Sequence, residues 1–152
     1  YDPKLPITLF IDSPGGAIDT GMILYDVIRL SEAPIRTIGV GCASMATLLL
    51  AAGAERLALP HARFMIHMPS GAFSGKMTDV EVQTTEMRRI HETLISCYLE
   101  CGVNAGLSNK PEKQVRKQIL KDIEHDYWMD SSEAIKYGLV DRVITQEELF
   151  GG

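Results

Sequence analysis

The sequence predicts an α/β domain, because short apolar segments alternate with longer segments of helical periodicity, and glycine or proline separates them. Residues 7–11 are an apolar, β-rich run, which predicts a buried strand that ends at a glycine-containing turn. Apolar residues then recur at helical spacing from Ile18 until Pro34 forbids continuation. A second strand over residues 35–40 and a second helix over residues 43–52 follow, so right-handed crossover connections are expected.

The rest of the chain continues the alternation and contains one helix that is long for a domain of this size. Residues 78–98 form this helix, and its apolar stripe consists of Val80, Met87, Ile90, Leu94 and Cys97. The other predicted elements are strands over residues 57–59, 63–66 and 140–144, a helix that begins at Pro111, and a short helix from residue 131 to Gly138. We expect all of them to belong to a single domain over residues 1–152.

The composition argues against several classes of partner. The chain has 152 residues and a formal net charge of -5, so a basic surface for nucleic acid is not expected. The longest apolar run, residues 45–52, is far shorter than the roughly 20 residues that cross a membrane. Three cysteines do not indicate a disulfide scaffold. Beyond the pair Cys97 and Cys101, for which helix packing is the simpler explanation, neither the cysteines nor the four histidines show the spacing of a metal site. We therefore predict no nucleic-acid partner, no membrane association and no metal.

Ser44 lies where the second strand ends and the second helix begins, among small residues that leave room for a substrate. A helix N-terminus presents unsatisfied N–H groups and the positive end of the helix dipole, which would stabilise an oxyanion beside Ser44. The alternative is that Ser44 is a helix N-cap, a position at which serine is preferred. Two interpretations also apply to the turn at residues 12–16, because its two glycines supply either a tight turn or N–H groups that face a ligand.

His67 and Asp126 are the matching candidates for proton transfer. His67 ends a predicted strand, where catalytic groups of α/β sheets often lie, although a structural histidine is the alternative. Asp126 precedes the bulky residues 127–129 and is either a partnered carboxylate or an exposed loop acid. With Ser44 they would form a relay, but sequence spacing does not establish contact. Three further histidines compete for the same role: His61, His91 and His125.

Four motifs resemble, in this order, the signature segments of the ClpP family of Clp endopeptidases, and the match covers nearly the whole chain. They are Asp12-Ser13-Pro14-Gly15-Gly16, Ala43-Ser44-Met45, Met65-Ile66-His67-Met68-Pro69, and Glu133-Ala134 with Tyr137-Gly138-Leu139-Val140-Asp141. The resemblance implies a spiral of β-α units, as in the related crotonase fold, with the long helix as a protruding handle. It also implies that the N-terminal part of the family domain is absent from residues 1–152.

The resemblance implies a role for each site residue. Ser44, His67 and Asp126 match a catalytic triad, which implies a serine endopeptidase that hydrolyses peptide bonds of unfolded proteins. The backbone N–H groups of Gly16 and Met45 match the oxyanion hole. The resemblance further implies that a peptide binds as an added strand, for which the contacting residues are Gly15, Gly16, Ala17, Ile18, Gly71, Ala72 and Phe73.

The same resemblance implies partners. Seven-membered rings would stack through the handle into a tetradecameric chamber, and an AAA+ unfoldase ring would deliver substrates. ATP would bind to that ring, because this chain has no phosphate loop, and no cofactor is expected here. The bacterial cytoplasm is the expected location, and an organelle is the alternative. Two rival functions are a catalytically inert ClpP-like subunit of a mixed complex and a crotonase-like acyl-CoA enzyme.

Overall fold

The structure, a computed structural model, describes residues 4–150. Strands and helices alternate through most of this range. Their bounds are β1 Ile7–Ser13, α1 Ile18–Leu30, β2 Ile35–Ala43, α2 Met45–Ala51, β3 Glu55–Ala58, β4 Arg63–Ile66, α3 Met77–Glu100, α4 Glu112–Asp122, β5 Tyr127–Asp130, α5 Ser131–Tyr137, β6 Arg142–Val143 and α6 Gln146–Phe150.

The strands form a single 6-stranded sheet in which β2 is central. β1 runs parallel to β2 along one edge, from the pair Ile7↔Ile35 to the pair Ser13↔Cys42. On the opposite edge of β2, β3 pairs with its first half and β4 with its end, both in parallel. β6 is parallel to β3, whereas β5 is antiparallel to β4. The predicted α/β architecture is therefore confirmed, with one antiparallel pair that the sequence did not predict.

The core surrounds α2 on two sides. One cluster joins α2 to β4 and α4 through Leu50, Phe64 and Ile119, each of which is 0% exposed. A second cluster joins α2 to α1 and the end of α3, and it includes Leu48 and Tyr25. Because both clusters hold α2, the N-terminus of this helix is fixed relative to the sheet.

The prediction that the first strand is buried is wrong for most of β1. Ile11 is buried, but Ile7 is 49% exposed and Phe10 is 53% exposed. The reason is that β1 pairs only with β2 among the described residues, so it lies at an edge of the sheet. An apolar run predicts a strand, but it does not distinguish an edge from the centre.

The end of the chain also differs from the prediction. The strand expected over residues 140–144 is shorter in the structure, where β6 has only two residues. The reason is that the N–H groups of Leu139 and Val140 donate to the Ala134 carbonyl of α5 and not to a strand. The elements β5 and α6 had no counterpart among the predicted ones. Of the two unpredicted elements, β5 contributes to the site described below.

The long helix α3 is a handle that leaves the body of the domain. Near its start Met77 is 78% exposed and Val82 is 69% exposed, whereas Leu94, Ile95 and Cys97 near its end are buried. The second half of α3, from Ile90 onward, therefore packs on the core while the first half leaves it, which confirms the protruding handle. Despite its length, neither α3 nor another helix within residues 4–150 is apolar enough to cross a membrane.

Arg56 and Asp141 join β3 to the chain that precedes β6. Arg56 Nη2 donates to Asp141 Oδ1 at 2.5 Å, and the Arg56 backbone N–H donates to Oδ2 at 2.8 Å. Arg56 Nη1 also donates to the carbonyls of Cys101 and Gly138, both at 2.9 Å. Partial burial would raise the pKa of Asp141, but the hydrogen bonds and charge of Arg56 outweigh it and the pKa is lowered.

We predict that Asp141→Asn lowers the melting temperature at neutral pH. Because the Asp141 side chain is 41% exposed, solvent screening limits the loss to about 1 kcal/mol or less, or about 2–4 °C. A lowered pKa stabilises the fold above the unfolded value of about 3.9, so the difference from the parent should shrink below about pH 4. Thermal melts across this pH range, with the exposed Glu32→Gln as control, test this. A difference that persists at low pH would contradict the ion pair as its cause.

Candidate active site

Ser44 occupies an uncommon backbone conformation at the junction of β2 and α2. Its φ is 58° and its ψ is -128°, and among the described non-glycine residues only Ala105 shares a positive φ. Such a conformation costs of order 1–3 kcal/mol and persists only where the surrounding structure enforces it. The junction is therefore a strained turn.

The carbonyl of Met65 in β4 holds this turn. It accepts the Ser44 backbone N–H at 2.9 Å and the Thr47 hydroxyl at 2.8 Å. Thr47 is fully buried, and its hydroxyl also lies 3.1 Å from the Cys42 carbonyl at the end of β2. One carbonyl of β4 thus fixes both the serine turn and the first turn of α2.

His67 lies just beyond the end of β4 and contacts Ser44. The distance from His67 Nε2 to Ser44 Oγ is 2.8 Å. Ser44 occupies the N-cap position of α2, but its side chain makes no capping hydrogen bond to the helix and contacts His67 instead. On the other side of the ring, Nδ1 lies 3.3 Å from Asp126 Oδ1. The structure therefore brings together the three residues that the sequence singled out.

The antiparallel pair of β4 and β5 explains why Asp126 meets His67. The last registered pair of the ladder is Ile66↔Tyr127, so His67 and Asp126 are the next two residues across it. The Met68 N–H also donates to the Ile123 carbonyl at 3.1 Å, which holds this segment against the end of α4. Asp126 itself is 62% exposed, so it is a partnered acid at the surface and not a buried one.

The loop after β1 packs directly on the serine turn. Gly15 has a φ of 98°, and a Cβ there would lie 2.7 Å from both the Ala43 carbonyl oxygen and Ser44 Cβ. Only glycine fits such an approach. A Cβ at Gly16, by contrast, would meet no atom within 4 Å, so this residue borders open space. Met45 is the first residue of α2, and its N–H has no partner within the helix.

Two pockets border this junction. The first, beside Ser44, is lined by Ile18, Ser44, Met45, Leu48, His67, Pro69, His91, Leu94, Ile95, Tyr98 and Ile123. The second is lined by Ile11, Ser13, Gly15, Gly16, Ala17, Thr20, Gly21, Leu24, Met45, Ala46 and Leu49. Gly71, Ala72 and Phe73 line neither pocket and lie in the exposed loop that precedes α3.

Cys42 is the other nucleophilic side chain near the turn. Burial, with a smaller contribution from Asp12, raises the pKa of its thiol to about 12. Its Sγ lies 3.4 Å from the Ile11 carbonyl, within the core. Cys42 therefore remains a thiol and does not compete with Ser44. Among residues 4–150 no group of three or more His, Cys, Asp or Glu residues is placed to hold a metal ion.

A serine on a strained turn, contacted by a histidine that in turn contacts an aspartate, defines a site of the serine hydrolase class on an α/β sheet. The family model for Clp protease matches residues 1–147. The chain is also 40% identical over 148 residues to the ATP-dependent Clp protease proteolytic subunit of Deinococcus radiodurans, an alignment that covers 95% of this chain and 68% of that protein. The chain belongs to the Clp protease family.

This assignment confirms the resemblance and the spiral α/β fold class with its curled sheet, and it makes the chain a serine-type endopeptidase. It favours the peptidase over the acyl-CoA alternative, which shares the fold but not the family. The sequence did not identify β5 or the place of His91 in the first pocket. A signal for β5 existed in the short aromatic run at residues 127–129, which has strand propensity.

We predict that Ser44→Gly melts at a higher temperature than Ser44→Ala. Both variants lose the hydroxyl and its contact with His67, so their difference reports the backbone alone. Glycine relieves the strain at φ 58° but adds chain entropy, which leaves a net gain of about 1 kcal/mol, or about 2–4 °C. Differential scanning calorimetry of the two variants measures it. Equal melting temperatures would show that the turn is not strained.

Proposed function

We propose that Ser44 is the nucleophile of this endopeptidase, that His67 is its general base, and that Asp126 orients the imidazole. The observation that carries the proposal is the 2.8 Å contact between Ser44 Oγ and His67 Nε2. This is the distance at which a general base removes a hydroxyl proton. A hydrogen on Nδ1 that faces Asp126 leaves Nε2 free to accept that proton.

In the acylation step, Ser44 Oγ attacks the carbonyl carbon of the scissile peptide bond while its proton passes to His67 Nε2. The tetrahedral intermediate then collapses. The C–N bond breaks, and the departing amine takes the proton from Nε2. The products of this step are an acyl ester on Ser44 and a new N-terminus of the peptide.

The oxyanion of the intermediate would be bound by the N–H groups of Met45 and Gly16. Met45 supplies the first N–H of α2, where the helix dipole favours negative charge. Gly16 borders open space, which leaves its backbone accessible to a substrate. The close packing of Gly15 on Ser44 supports this placement, since it holds the loop beside the nucleophile.

Deacylation repeats the steps with water in place of the amine. Water gives a proton to His67 Nε2 and attacks the acyl carbon. The bond to Ser44 Oγ then breaks, and the proton returns to the serine. No step requires a metal or an organic cofactor, because the imidazole carries the proton in both directions.

We propose that an extended peptide binds between residues 16–18 and residues 71–73. Ile18 lines the pocket beside Ser44, and the loop at residues 71–73 has no strand partner within the described chain. Main-chain pairing with both segments would make binding tolerant of sequence, as degradation of unfolded proteins requires.

We propose that the chain works in stacked heptameric rings that form a tetradecamer. Exposed apolar side chains support an assembly, because large apolar residues at a surface mark interaction sites. On α1 these are Ile23, Val27 and Leu30, and on α3 they are Met77 and Val82. An AAA+ unfoldase that consumes ATP is the proposed partner, since the bacterial relative is named as ATP-dependent and this chain has no phosphate loop. A bacterial cytoplasm is the proposed location, which suits three free cysteines.

We predict that a serine-directed fluorophosphonate adds once to the parent chain and labels neither Ser44→Ala nor His67→Ala. Loss of the base should slow labelling by about 10³-fold or more. Asp126→Asn should slow it less, because the carboxylate is largely exposed. Intact-mass spectrometry of all four proteins measures this. Absence of an adduct on the assembled parent would support the inert subunit instead.

We predict that Gly15→Ala slows labelling strongly while the fold persists. The added Cβ collides with the Ala43 carbonyl and with Ser44 itself, so the turn must shift. Gly102→Ala is the matched control, because Gly102 also has a positive φ, of 81°, but its Cβ would meet no atom within 4 Å. Both variants should lose stability, but only Gly15→Ala should lose reactivity. Equal loss in the two would show that strain alone, and not the contact with Ser44, is responsible.

A further inference from the structure

Thr47 is a polar residue inside the core, in the first turn of α2 and three residues after Ser44. It is 0% exposed, and it lines neither of the two pockets that border the serine turn. A substrate in either pocket therefore does not contact it. Any effect of Thr47 on the reaction must pass through the groups that its own polar atoms bind.

Those polar atoms contact three carbonyls around the Ser44 turn. The Thr47 hydroxyl lies 2.8 Å from the Met65 carbonyl oxygen and 3.1 Å from the Cys42 carbonyl oxygen. The Thr47 backbone N–H donates to the Ser44 carbonyl at 3.0 Å, and the Ser44 N–H donates to the Met65 carbonyl at 2.9 Å. Ser44, Thr47 and Met65 thus form a closed ring in which each residue is hydrogen bonded to the other two.

This ring joins the turn of the proposed nucleophile to the strand of the proposed base. Met65 lies in β4, two residues before His67. The β4–β2 ladder has only two registered pairs, so the Thr47 hydroxyl adds a bond where backbone pairing is short. The φ of 58° at Ser44 also needs enforcement by its surroundings, because a relaxed serine would leave this conformation.

We propose that Thr47 is a positioning residue, whose hydroxyl holds Ser44 Oγ at the distance from His67 Nε2 that proton transfer requires. This inference rests on the proposed function. A threonine that merely satisfied its own hydroxyl in the core would contribute to stability alone. A positioning threonine also sets the rate of the chemical step, because a small displacement of the nucleophile slows its attack while the contacts with the peptide remain.

The test compares Thr47→Val with Thr37→Val, a matched control. Thr37 is also 0% exposed, and its hydroxyl donates to the Leu50 carbonyl near the other end of α2 at 2.7 Å. Each variant exchanges a buried hydroxyl for a methyl group, so both should melt at a lower temperature than the parent. Only Thr47→Val should slow fluorophosphonate labelling and lower kcat for a short fluorogenic peptide, each by about tenfold, with KM unchanged.

The assembled proteins are assayed well below the melting temperature of every variant, and two further variants test the hydroxyl itself. Thr47→Ser keeps the hydroxyl and should label at close to the parent rate. Thr47→Cys should label as slowly as Thr47→Val, because a thiol is a weak donor. The cysteine variant takes the place of the valine variant if the latter does not fold.

Labelling of Thr47→Val and Thr47→Cys at the parent rate would overturn the inference alone. An equal loss of rate in Thr37→Val would also overturn it, because the effect would then belong to the stability of α2. A rise in KM with kcat unchanged would do the same, since it would indicate a role in substrate binding. A parent that neither reacts with the fluorophosphonate nor hydrolyses the peptide would overturn the proposed function, and the inference with it.

Discussion

The carbonyl of Met65 is the point on which the site depends. It binds the N–H of Ser44 and the hydroxyl of Thr47, so it holds both the strained turn and the start of α2. The same strand ends one residue before His67, which means that the proposed nucleophile and base share one rigid support. Only the pairs Cys42↔Phe64 and Ala43↔Met65 join β4 to β2, so these buried bonds carry much of the alignment.

Asp126, which contacts His67 on the side away from Ser44, is held in place differently. Asp126 is 62% exposed, and a contact that is open to solvent contributes little to stability, so the contact with His67 does not by itself fix its position. The β4–β5 ladder does so, because its register places residues 67 and 126 opposite each other just after the pair Ile66↔Tyr127. The residue proposed to orient the imidazole is thus positioned by backbone pairing and remains open to solvent.

Sequence periodicity predicted most elements and the junction of strand and helix near Ser44, since both depend on local spacing and on glycine or proline, but it did not predict the strained turn there. It did not predict β5, because a strand of four residues gains its stability from a distant partner. It also overestimated the burial of β1, because an apolar run has the same pattern at an edge as at the centre of a sheet. The environment of His91 depends on how α3 rotates against the core, which no local pattern encodes.

The unfavourable features of the chain gather around one pocket. The backbone strain at Ser44 and the unpaired nitrogen of His91 both reduce the stability of the free protein, and both border the same cavity. Elsewhere, the buried cluster around Phe64 and the bonds of Arg56 offset these losses. Selection for stability alone would remove both features, because glycine relaxes the turn and leucine fills the wall. The strain at Ser44 therefore accords with its proposed role as a nucleophile, which a requirement for stability alone does not explain.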